Sequence, residues 1–182
     1  MVRVETANGE AHEESTKDLL EKIFEKFDLS RWAFTDLVVI DHAAIAHSHP
    51  VLTLSTTFVV RTPLGVVSTY LHEQLHWYLS ERSEETLAAM EELRRVYPSV
   101  PGAEHGGAND DHSTYLHLVL NWLELESLAA VVGRERAEET LRQAVGGPIY
   151  GWVYGEVFDK HADIGGIVRR HGLDTLLQTS PD

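Results

Sequence analysis

The sequence predicts an α+β domain that is predominantly helical, with a small sheet of two or three strands. Three observations carry this. Apolar residues recur at helical spacing over residues 10–27 and again over most of the chain beyond residue 63. Only two short runs, 36–41 and 51–57, have the β-branched or alternating character of strands. The 182 residues, 43% of them hydrophobic, suffice for one cored domain and are too few for two comfortable ones. Residues 1–182 are therefore read as a single domain.

Taken in order, residues 10–27 place Leu19, Leu20, Ile23, Phe24 and Phe27 on one face of an amphipathic helix. Leu37-Val38-Val39-Ile40 reads as a buried strand. A loop with His42, His47 and His49 leads to residues 51–57, whose alternation predicts a half-buried strand, with Pro50 suited to an edge. A turn over residues 61–65 precedes a helix over 64–80. Residues 83–97 form the next helix, with Ser83 as its cap and Pro98 beyond its end. The Pro/Gly-rich stretch 99–111 reads as a flap-like loop, without the spacing of an EF-hand. Helices follow over 113–132, 134–145 and 162–172, with an aromatic segment at 149–158 and a frayed tail from Thr175.

The net charge of −14 disfavours nucleic acid and anionic membrane as partners, since both need clustered Lys and Arg. There is no cysteine, so any metal site is built from His and carboxylate. The N-terminus lacks the apolar core of a secretory signal, and no uninterrupted apolar run approaches the ~20 residues of a membrane span. A soluble, cytoplasmic protein is expected, its oligomeric state left open.

One stretch carries chemistry: Leu71-His72-Glu73-Gln74-Leu75-His76-Trp77. Positions i and i+4 share a helix face, so His72 and His76 can direct two imidazoles at one ion. Glu73 lies about 100° further round, able to reach a water on that ion without being a ligand. Val66, Val67, Tyr70, Leu71, Leu75, Trp77, Tyr78 and Leu79 make the helix apolar nearly all round, which predicts burial. Two imidazoles and a carboxylate inside a buried helix need partners, and a metal serves both imidazoles at once.

The stretch resembles the active-site helix of the zincin metallopeptidases, the HExxH superfamily. The resemblance covers this helix and, more loosely, a downstream one. It implies a minimal zincin-like fold with the sheet packed on the motif helix, one Zn²⁺ on His72 and His76, Glu73 as general base, and a third ligand further along. It also implies a peptide or protein substrate, bound along an edge strand for which residues 51–57 are the candidate. His47 and His49 would then lie near the cleft mouth.

The third ligand is sought on the helix over 113–132, where His117, Asn121, Glu124 and Leu128 share one stripe and Trp122 and Glu126 lie roughly opposite. His117, set among Tyr115, Leu116, Leu118 and Leu120, is preferred. Glu124 is the alternative, either as the ligand itself, as in the gluzincin branch, or as an acceptor orienting an imidazole. The Asn-Glu-x-x pattern of that branch is not intact, and the metzincin third His is absent because position 82 is Arg82. Tyr154 and, by residue type, His161 are candidates to stabilise the oxyanion.

Together these residues predict a zinc-dependent hydrolase, most naturally a peptidase. The alternative is a non-catalytic zinc-stabilised binding or regulatory module, which gives no reason for a carboxylate at position 73. A di-iron helical bundle would need a second Glu-x-x-His, and the chain has none.

Overall fold

The computed structural model describes residues 2–56 and 62–178. The chain groups into two compact units, Met1–Tyr78 and Leu79–Asp182.

The first unit opens with a strand the sequence did not announce, β1 (Arg3–Thr6), followed by α1 (Ala11–Lys26), β2 (Leu37–Ile40), β3 (Leu52–Leu54) and α2 (Pro63–Glu81), whose last residues pass into the second unit. The strands form one parallel sheet in the order β1-β2-β3, with Arg3 opposite Leu37 and Val38 opposite Leu52. A parallel pair needs a crossover, and α1 supplies it between β1 and β2, packing on both. Leu20 and Ile23 of α1 are buried together with Val4, Val38 and Ile40 of the sheet. Only alternate residues of β2 are fully buried, as expected of a strand with one covered face.

β3 departs from its predicted alternation. All three of its residues are buried. Thr53 is polar but satisfied, its hydroxyl donating to the Val51 carbonyl. Its outward backbone groups are also spoken for: His47 N–H donates to Thr53 O at 3.0 Å, and Thr53 N–H donates to His47 O at 2.8 Å. The loop has folded back and closed this edge at Thr53, so a substrate strand cannot pair there. Thr57 of the predicted strand and Arg61 of the predicted turn lie outside the described residues.

The second unit is built around α4 (Asp111–Val132). α3 (Ser83–Val96), α5 (Arg134–Arg142), α6 (Gly151–Asp159) and α7 (His161–Arg170) each pack against it or against one another. Asp110 caps α4 by accepting the Ser113 N–H at 2.7 Å. Ser83, expected as the cap of α3, is instead its first residue; Arg82 holds the cap position, and its side chain makes no capping hydrogen bond. By length and composition α4 could cross a membrane, but 67% of its most apolar stretch is buried inside the protein, as in a core helix.

The stretch 99–111 is pinned rather than flap-like. Trp152 N–H donates to Gly106 O, and a Cβ at position 106 would lie 2.6 Å from that same backbone nitrogen. Gly106 also has φ +82°, a left-handed conformation that glycine adopts without cost. From Thr175, where fraying was expected, the chain makes the short turn Thr175–Leu177, and Leu176 is buried.

The fold is therefore predominantly helical with a small three-stranded sheet, α+β as expected.

Candidate metal centre

In the first unit the motif occupies the middle of α2. Val66, Val67, Tyr70, Leu71, Leu75 and Tyr78 are buried, so the helix is enclosed nearly all round as its composition required. The His72 and His76 rings lie one turn apart, centroids 5.2 Å from each other and planes at 73°. His72 and Glu73 are buried and His76 is half-buried.

The residues between them face elsewhere. Gln74 is fully buried, and its Oε1 accepts the backbone N–H groups of Phe34 and Thr35 at 2.9 and 3.1 Å. That amide fixes the helix against the chain entering β2, and with it the direction in which the two imidazoles point. Sequence reasoning passed over it as an unspecified position. Its signal was a polar residue on a helix otherwise apolar on that side.

Trp77 donates from Nε1 to the Ser48 carbonyl at 2.9 Å and stacks on His49 with centroids 4.1 Å apart. His49 is thus held against the motif helix. His47 is not: its Nδ1 lies 2.8 Å from its own loop's Ile45 carbonyl.

In the second unit the α4 stripe is buried along its length: His117, Asn121, Glu124 and Leu128 are each no more than 3% exposed. His117 Nδ1 lies 2.7 Å from the Ser113 carbonyl. A carbonyl can only accept, so Nδ1 carries a proton, and in the neutral ring Nε2 keeps the lone pair. The opposite ring nitrogen is thereby prepared as a metal ligand. The ring face is covered by Tyr150, centroids 3.9 Å apart and planes at 22°. Tyr150 reaches this place from a left-handed backbone, φ +53°, uncommon for a residue with a side chain. Sequence reasoning had it only as part of the aromatic segment 149–158; the turn residues before it, Gly146-Gly147-Pro148, were the available hint.

Further along, Glu124 Oε2 accepts the Tyr154 hydroxyl at 2.8 Å, both groups buried. Asn121, between His117 and Glu124, is fully buried, and neither atom of its amide has a hydrogen-bond partner among the described residues. A buried amide without partners is costly, so a polar occupant beside it would be favoured. His161 belongs to another arrangement. Its Nε2 lies 2.7 Å from Glu126 Oε1, and Glu126 also pairs with Arg134. Glu126 lies roughly opposite Glu124 on the helix, so His161 is not drawn to the stripe.

Comparison of the chain with protein-family models, with curated proteins and with solved structures returns no match.

Proposed function

We propose that the chain is a zinc-dependent hydrolase, most simply a peptidase, with His72, His76 and His117 as metal ligands and Glu73 as general base. The observation that carries the reading is the donor set. His72 and His76 bring two imidazoles, ring centroids 5.2 Å apart, to one face of the buried helix α2. Three neutral imidazoles suit zinc better than calcium or magnesium, which prefer oxygen ligands. The proton held on His117 Nδ1 by Ser113 supports the same assignment.

A zinc ion bound there supplies a water acidified towards neutral pH and a polarised carbonyl. The chain's own residues do the rest. Glu73, one residue past the first ligand and buried, takes the proton of the attacking water on a carboxylate oxygen. It then returns that proton to the departing amine nitrogen. Glu124 holds the Tyr154 hydroxyl in place, so the two enter the proposal as a pair, with the phenol as donor to the oxygen on which charge develops. Asn121, with both amide atoms unpaired among the described residues, is the group we assign to binding the substrate's polar backbone.

The test uses a mixed peptide library with cleavage mapped by mass spectrometry, on wild-type protein stripped of metal and on the same protein restored with zinc. Zinc-dependent cleavage that disappears in Glu73→Gln at unchanged zinc content is the expected result. Zinc bound at His72, His76 and His117 with no cleavage in either protein would instead support the regulatory module.

A further inference from the structure

A second group of ligand-type side chains gathers in the first unit, at the start of α1. Glu10 immediately precedes the helix, His12 is in its first turn, and His42 is in the loop leaving β2. The His12 and His42 rings meet edge to face with centroids 4.4 Å apart. Glu10 Oε2 lies 3.0 Å from His12 Nε2 and 3.3 Å from His42 Nδ1. We propose that Glu10, His12 and His42 form a binding site for a zinc-class divalent cation, separate from the His72 motif.

The separations are the first argument. Two ligands at ~2.0–2.1 Å from a tetrahedral zinc are about 3.3 Å from each other. The second argument is the state of His42 Nδ1. That atom is shielded from solvent and makes no hydrogen bond among the described residues, although a carboxylate oxygen lies 3.3 Å away. The 3.3 Å between the ring nitrogen and the oxygen is the separation two ligands of one tetrahedral ion would have. The third argument is charge. Glu10, Glu13 and Asp41 bring three carboxylates to this corner, and the only cationic candidates among the cluster's side chains are the two imidazoles.

The site is also built in advance. Glu13 is fully buried, and its carboxylate accepts from Asn8 N, Asn8 Nδ2, Glu10 N and His42 N at 2.9–3.3 Å. One side chain thus ties the exit of β1, the start of α1 and the loop after β2, the segments that carry the three ligands. With its oxygens engaged in this way, Glu13 is a positioning residue and not a ligand. Two imidazoles and one carboxylate select zinc, copper or nickel over calcium and magnesium. Because Glu10, His12 and His42 are all partly exposed, water completes the coordination and the ion exchanges freely. Bound there, it staples α1 to the loop after β2.

The proposal stands apart from the hydrolase reading, and its test separates the two. Zinc is titrated into the full chain carrying His72→Ala and His76→Ala. About one equivalent is expected to remain bound, and adding His42→Asn is expected to remove it. His12→Asn and Glu10→Gln, each checked for native circular dichroism, should do the same if His42→Asn fails to fold. Cobalt in place of zinc should give a visible absorption band that vanishes with the same substitutions. Retention of no zinc by the His72→Ala/His76→Ala protein, or undiminished binding in folded His42→Asn and His12→Asn, would overturn the site and leave an ordinary His–Glu ion pair.

Discussion

At the scale of single residues, His72, Glu73 and His76 were legible because helical spacing alone puts two imidazoles on one face and the carboxylate beside them. Replacing Glu73 by Gln removes a base and keeps the shape, so hydrolysis should fall about 10²–10⁴-fold with zinc content unchanged. Asn121 was legible only as part of a polar stripe. That its amide is buried without a partner among the described residues could not be read locally, because satisfaction depends on neighbours distant in sequence. The expected consequence is a conflict between stability and function. Asn121→Leu removes two unpaired buried groups at similar size and should raise unfolding stability by about 1 kcal/mol or more. It should also weaken peptide cleavage while leaving zinc binding intact. Urea denaturation and cleavage assays on one preparation measure both, and a less stable Leu variant would contradict the account.

At the scale of elements, the long helices were readable and the strands less so. The boundaries of α1, α2 and α3 follow from local periodicity and from Pro63 and Pro98 near their ends. β1 carries no such local signal: its four residues become a strand only by pairing with Leu37–Ile40, on the far side of α1. β3 was misread because a threonine in an alternating pattern looks solvent-facing, whereas Thr53 is buried with its hydroxyl satisfied. The Gly165-Gly166 pair of α7 tests the helix packing. A Cβ at Gly165 would lie 2.5–2.7 Å from the Trp122 ring, whose Nε1 is already tied to the His161 carbonyl. At Gly166 the nearest atom is the end of the flexible Arg170 side chain, at 3.4 Å. Gly165→Ala should therefore destabilise, and Gly166→Ala should stabilise by about 0.5–1 kcal/mol, as expected for Gly in a helix interior. Urea midpoints showing equal effects would refute this packing.

The contact of α3 with α7 gives a pH dependence. Hydrogen bonds from Arg170 and His171 hold the Glu92 carboxyl below its ordinary value of 4.5. A carboxyl depressed in the folded state adds stability that is present above the unfolded value and lost as pH falls below it. Glu92→Gln should therefore lower the thermal midpoint at pH 7, and the difference from wild type should shrink as pH drops below 4.5. A difference constant between pH 7 and pH 3 would show that this ion pair contributes nothing through charge.

At the scale of the whole molecule, fold class was legible from pattern and composition, whereas the division into units Met1–Tyr78 and Leu79–Asp182 was not. The boundary falls within the continuous helix α2, where no change in composition marks it. A metal that binds only the folded chain stabilises it by mass action. Chelation should lower the thermal midpoint, and zinc should restore it in a concentration-dependent way.

The most direct measurement is zinc content by native mass spectrometry, made in a His42→Asn background to remove the second site. One zinc ion per chain is expected, lost in His72→Ala, in His76→Ala and in His117→Ala, and retained in Glu73→Gln. A folded His117→Ala or His72→Ala protein that still holds its zinc would contradict the proposed centre and the hydrolysis derived from it.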